Sequence, residues 1–65
     1  MNIRLIDLNR THILGVIETK KGNEYACTFA KEKDKYGSLS YPTKSDVKDA
    51  WSENKRDFQT YKSFH

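Results

Sequence analysis

Few residues of this chain are equipped for chemistry, and they are scattered. His12, Cys27 and His65 are the nitrogen and sulfur ligands on offer, with no paired spacing among them. A structural metal site needs several such ligands converging, so no metal is expected. A cysteine nucleophile needs a histidine base within hydrogen-bond reach. His12 lies on the strand that pairs with the Cys27 strand, but on the face opposite in parity, so its ring is expected to point away and Cys27 reads as a small buried apolar residue. Asp46, Asp49, Glu53 and Asp57 interleave with Lys48, Lys55 and Arg56, the pattern of a solvated helix face rather than of acid/base work. Gly15, Gly22 and Gly37 stand alone, so no phosphate-cradling loop is present. These residues point to no catalytic group, no cofactor and no enzyme.

Binding chemistry is better represented. Net charge is +3 with a pI near 9.1, which permits attraction to nucleic acid or to an acidic protein. Basic residues cluster at three places: Lys20 and Lys21; Lys31, Lys33 and Lys35; and Lys55 and Arg56 with Lys62. The alternation at 31, 33 and 35 would put three ammonium groups along one edge if a strand continued that far, and these could track a phosphate backbone. Tyr25, Tyr36 and Tyr41 could then supply stacking or groove contacts. Glu32 and Asp34 interleave with the same lysines, so an ordinary solvated charge mixture is the favoured explanation of them.

The elements that must position these residues follow from periodicity and turn chemistry. Residues 2–8 form a short apolar-rich run readable as a strand, leaving open whether it pairs with the others. Residues 12–19 and 24–32 flank Lys20-Lys21-Gly22-Asn23, where Gly22 and Asn23 tolerate the positive φ of a tight hairpin. Setting Thr19 opposite Glu24 places Leu14, Val16 and Glu18 on one face with Phe29, Cys27 and Tyr25. Ile13, Gly15 and Ile17 then share the other face with Ala30, Thr28 and Ala26. Both faces are apolar, so either residues 2–8 cover one of them or one is a binding surface, including for a second copy in a homodimer.

Residues 38–41 alternate as a third hairpin strand, and Pro42 stops it. Thr43 and Asp46 have the spacing of a capping box, with Ser45 as a second candidate cap. Val47, Ala50, Trp51, Asn54, Phe58 and Tyr61 then recur at three and four, predicting one amphipathic helix over about 45–62. Trp51 reads as its core anchor. Phe58 and Tyr61 would overhang the sheet, since about 18 residues at 1.5 Å extend about 27 Å, and an aromatic overhang is a natural partner contact.

The expectation is therefore an α+β fold, a three- to four-stranded antiparallel sheet followed by one C-terminal amphipathic helix packed on it, in a single domain over 1–65. No apolar stretch approaches the roughly 20 residues of a membrane span, and residues 1–7 do not read as a signal peptide. With Cys27 as the single cysteine, a cytoplasmic location is expected.

From Gly15 to Trp51 the pattern resembles the three-strand-plus-helix DNA-binding domains of the AP2 type and the arm-binding domains of tyrosine integrases. The matching features are Gly15-Val16 opening a strand, Gly22 in the turn, Tyr25 and Phe29 on the next strand, Gly37, Leu39 and Tyr41 on the third, and Thr43, Asp46, Val47, Ala50 and Trp51 entering the helix. The resemblance implies a sheet that enters the major groove with strand Arg, Lys and Trp side chains. Here the corresponding strands carry Glu18, Thr19, Glu24 and Thr28, with neither arginine nor tryptophan.

The function expected is a non-enzymatic binding module for nucleic acid or a nucleic-acid-handling protein machine. Its contacts would be drawn from Lys20, Lys21, Lys31, Lys33, Lys35, Tyr36, Lys55, Arg56, Phe58 and Tyr61. The competing expectation is a small protein inhibitor or adaptor of the phage or mobile-element type, docking by a sheet edge or by the aromatic helix end.

Overall fold

The computed structural model describes residues 1–61. Residue 62, the last of the expected helix, and the candidate ligand His65 lie outside the described residues. The fold is α+β. β1 (Asn2–Asp7), β2 (His12–Glu18), β3 (Glu24–Ala30) and a short late strand form one antiparallel sheet; β4 (Glu32–Lys33) and β5 (Leu39–Ser40) form a separate small hairpin; and α1 spans Lys44–Glu53. A 3₁₀ turn at Lys55–Asp57 leads into the late strand, β6 (Gln59–Thr60), and the sheet order is β1-β2-β3-β6.

β2 sits between β1 and β3, which is why His12–Glu18 reads as an almost unbroken apolar run. β1 joins the sheet by pairing Ile3 with Ile17 and Leu5 with Gly15, settling the question left open for residues 2–8. The β2–β3 register differs by one residue from the expected one: Glu18 faces Glu24, Ile17 faces Tyr25 and Gly15 faces Cys27. The cause is the loop. Thr19 N–H donates to the Asn23 carbonyl at 2.9 Å and Gly22 N–H to the Thr19 carbonyl at 3.0 Å, closing Lys20-Lys21-Gly22 as a three-residue loop. Only Gly22 takes positive φ, at +86°, the left-handed position that this loop type requires. The shift gathers Tyr25, Cys27 and Phe29 onto the face of Ile13, Gly15 and Ile17, because a one-residue slip moves a whole strand's side chains across the sheet.

That face is the one α1 covers. Ile17, Val47 and Phe58 form the buried centre, with Ile3, Tyr25, Cys27, Phe29, Ala50 and Trp51 packed around it. Gly15 permits the close approach of the helix, since a Cβ there would stand 2.8 Å from both Phe29 Cε1 and Val47 Cγ2. The opposite face carries Ile6, Leu14, Val16 and Ala26, and no helix of the described residues lies on it. Val16 is nevertheless fully buried. Arg4, opposite Val16, reaches across β2 to pair with Glu24.

Residues 38–41 do not join the main sheet. Leu39 and Ser40 pair instead with Lys33 and Glu32, because Asp34-Lys35-Tyr36-Gly37-Ser38 closes a three-residue loop of its own. The helix begins as the capping box predicts, Thr43 Oγ1 accepting from Asp46 N–H at 3.2 Å and Asp46 Oδ2 accepting from Thr43 N–H at 2.9 Å. It ends much earlier than residue 62. Asn54 leaves helical geometry at φ −151°, ψ 78°, its side-chain amide donates to Asp57 Oδ2 at 3.1 Å, and the chain turns back. Ten residues span about 15 Å, enough to cross the sheet, and the turn returns Phe58 to the core instead of carrying it beyond. Burial of that ring favours the turn by roughly 2 kcal/mol. No helix among the described residues is long and apolar enough to cross a membrane.

Candidate nucleic-acid interface

The β2–β3 loop and the 3₁₀ turn meet at one end of the sheet. Lys20 and Lys21 occupy the exposed tip, held there by the Thr19–Asn23 closure. Lys55 opens the 3₁₀ turn, and its Nζ stands 5.3 Å from the centroid of the Trp51 ring. Trp51 is half-buried, tilted 33° against Tyr25 at 5.1 Å and set edge-on to Phe58 at 5.1 Å. Between these groups runs an open groove of about 600 Å³, lined by Thr19, Lys20, Lys21, Asn23, Tyr25, Trp51, Lys55 and Phe58. Three ammonium groups and two accessible aromatic rings line it, and among the described residues no carboxylate does.

The remaining expected contact residues are placed elsewhere. Lys31 is withdrawn from solvent: its Nζ donates to Asp7 Oδ1 and to the Asn9 carbonyl, both at 2.6 Å, its side chain is 2% exposed, and the Tyr41 ring covers it at 4.7 Å. The three-lysine edge at 31, 33 and 35 therefore does not exist, because the strand breaks at Lys31 and the lysine turns inward. Lys33, Lys35 and Tyr36 lie on the β4–β5 hairpin, exposed, with Lys35 Nζ 5.1 Å from the Tyr36 ring. Arg56 is exposed on the 3₁₀ turn and does not line the groove.

Phe58 corrects the expectation of an aromatic overhang. It is 7% exposed and forms part of the groove floor, 6.1 Å from Phe29. Tyr61 is half-buried, its backbone N–H bonded to the Glu24 carbonyl at 2.8 Å as an extension of β6. The groove-lining residues absent from the expected contacts include Trp51, read from periodicity as a core anchor, Thr19, read as the last residue of its strand, and Asn23, read as a turn former. Trp51 packs on the core cluster and also lines the groove, half-buried beside the helix end.

The reactive side chains stand apart. His12 lies on the uncovered face opposite Ala30, its Nδ1 2.7 Å from Thr11 Oγ1, whereas Cys27 lies on the helix-covered face opposite Gly15. Burial, and secondarily the Asp57 carboxylate, push the Cys27 thiol above its ordinary range, which disfavours the nucleophilic thiolate. Among the described residues no group of three or more His, Cys, Asp or Glu side chains is arranged to hold a metal ion. A second cavity, about 390 Å³ under the β4–β5 hairpin, is lined by Phe29, Ala30, Glu32, Ser40, Tyr41, Pro42 and Asp46 and so has carboxylates where the groove has ammonium groups. No protein-family model, no curated protein and no solved structure matches this chain.

Proposed function

We propose that the protein is a small binding module, without catalytic activity, that engages nucleic acid through the groove between the β2–β3 loop and the 3₁₀ turn. The observation that carries this reading is the convergence of Lys20, Lys21 and Lys55 on a groove with Tyr25 and Trp51 in its walls and no carboxylate among its described lining residues. Ammonium groups serve phosphate oxygens, and flat rings serve bases or sugars. Affinity for mixed nucleic acids measured across a salt series is the test. A steep fall with rising salt is expected, since each neutralised phosphate releases condensed counterions, and an affinity indifferent to salt overturns phosphate recognition.

A second reading, a protein inhibitor or adaptor, or a homodimer, is favoured by the sheet face bearing the half-buried Ile6 and Leu14, over which no helix of the described residues packs. Its expectation is that Leu14→Lys strips a bound protein partner, or converts a dimer to a monomer in a measurement of solution mass. An unchanged mass together with unchanged partner capture removes that face as an interface.

A further inference from the structure

We infer that the occupant of the groove is an unpaired nucleic-acid strand, one of whose bases stacks on Trp51 while its phosphates lie against Lys20, Lys21 and Lys55; this rests on the nucleic-acid reading above. The argument begins with what a duplex would ask of this molecule. Duplex recognition inserts a helix or a strand ribbon into a groove walled by phosphates, so the inserted surface must be basic or neutral. The exposed side of α1 carries Asp46, Asp49 and Glu53 against Lys44 and Lys48. The uncovered sheet face carries Glu18 and Glu24, with Arg4 already paired to the latter. Neither surface offers a duplex a cationic element to insert.

The groove poses the opposite demand. Its lysines are exposed and its rings half-buried or buried, the order of phosphate outside and base inside that an unpaired strand presents and a duplex conceals. The Trp51 ring already holds a cation: the Lys55 ammonium lies over it, weakly held as a solvent-exposed cation–π contact is. A base can take that place, because the displaced ammonium sits on a long side chain and moves to the adjoining phosphate. Charge is conserved in the exchange, and the indole trades a cation for a stacked ring.

Trp51 is the sole tryptophan, so its emission reports on this contact directly. The purified chain is titrated with a thymidine oligonucleotide of about 12 residues, comparable to one small-domain site, with a duplex and an abasic strand of equal length, and with inorganic polyphosphate. The thymidine strand is expected to quench the emission and to bind about tenfold tighter than either the duplex or the abasic strand, the lower part of the range for one stacked base. Polyphosphate is expected to bind weakly without quenching. Equal affinity for strand and duplex overturns the unpaired-strand inference while leaving the nucleic-acid reading standing. Equal affinity for thymidine and abasic strands overturns the stacking on Trp51. Binding to none of the four overturns the nucleic-acid reading itself. Since the ligands are varied and the protein is not, no outcome is confounded by a variant that fails to fold; Lys20→Ala with Lys21→Ala, at the exposed tip, is expected to weaken thymidine and abasic strands alike.

Discussion

The chain builds the same loop twice and gives the two copies different surroundings. Thr19-Lys20-Lys21-Gly22-Asn23 and Asp34-Lys35-Tyr36-Gly37-Ser38 are both three-residue loops, closed by matching backbone hydrogen bonds, with glycine at φ +86° in one and +84° in the other. Both present lysine at the tip, and each lies near a lysine over an aromatic ring: Lys55 on Trp51 in the first case, Lys35 on Tyr36 in the second. The first loop projects beside the helix end, so its lysines and the Trp51 wall make one groove. The second joins a two-stranded hairpin bearing Glu32 and Asp34, and Asp34 Oδ1 accepts from Tyr36 N–H at 2.8 Å and Ser38 N–H at 3.0 Å. A lysine beside a ring is thus not yet a binding surface. What distinguishes the two tips is the neighbouring element, which gives the first a groove with no Asp or Glu among its described lining residues.

The largest expected effect comes from reversing charge at each tip in turn. Lys20→Glu with Lys21→Glu should lower affinity for a single strand by roughly a hundredfold at moderate salt, since two phosphate contacts are lost and replaced by repulsion. Lys33→Glu with Lys35→Glu makes the same change in net charge. It should cost about threefold, the effect of the distant field alone. Filter binding of the two variants in parallel decides the matter, and equal losses would mean that net charge rather than the groove drives association.

Next in size are the two glycines. At +86° and +84° a Cβ is strained whatever the space around it, and both positions are open, so Gly22→Ala and Gly37→Ala isolate backbone strain. Each should cost about 1 kcal/mol locally. Gly22 holds the register of the central hairpin, so its cost should appear in full as a lowered thermal midpoint. The β4–β5 hairpin pairs only with itself, so Gly37→Ala should open that hairpin and leave global unfolding nearly unchanged. Calorimetry of both variants, with amide exchange at Asp34, whose N–H donates to the Ser38 carbonyl, separates the two; equal depression of the midpoint would show the small hairpin to be part of the cooperative unit.

The contrast between the tips also marks where sequence reasoning reaches and stops. Turn residues and the capping box act over three or four positions, so Gly22, Gly37 and the Thr43–Asp46 pair were legible as local chemistry. The register was not. Counting Lys20 to Asn23 as four loop residues rather than three moves Tyr25, Cys27 and Phe29 to the other side of the sheet, and only the closing hydrogen bond decides. The helix end was illegible for a related reason: Phe58 and Tyr61 continue the helical spacing, yet the sheet is too short to receive them there, and Asn54 gives the chain a place to turn back. The candidate site inherits both outcomes. Lys20, Lys21 and Lys55 were readable as basic residues, but their convergence on Trp51 depends on that turn, and the withdrawal of Lys31 depends on Asp7, 24 positions away in sequence.

The smallest effect is the most discriminating, because it compares one lysine with its counterpart at the other tip. Lys55→Gln removes one ammonium from the groove and uncovers the Trp51 ring; Lys35→Gln removes one from above Tyr36, which is 80% exposed. If Lys55 moves from indole to phosphate on binding, its loss should reduce the slope of log affinity against log salt by about 0.7, the single-strand value for one contact. The accompanying loss of affinity should be about threefold at moderate salt and should narrow as salt rises, since screening removes the phosphate term while the freed ring still stacks. Lys35→Gln should leave the slope where it was. Parallel salt titrations therefore ask whether a lysine over an aromatic ring is part of the binding surface at one tip and solvent decoration at the other. Equal slopes for the two variants would show that Lys55 makes no phosphate contact, leaving Lys20 and Lys21 as the cationic side of the groove.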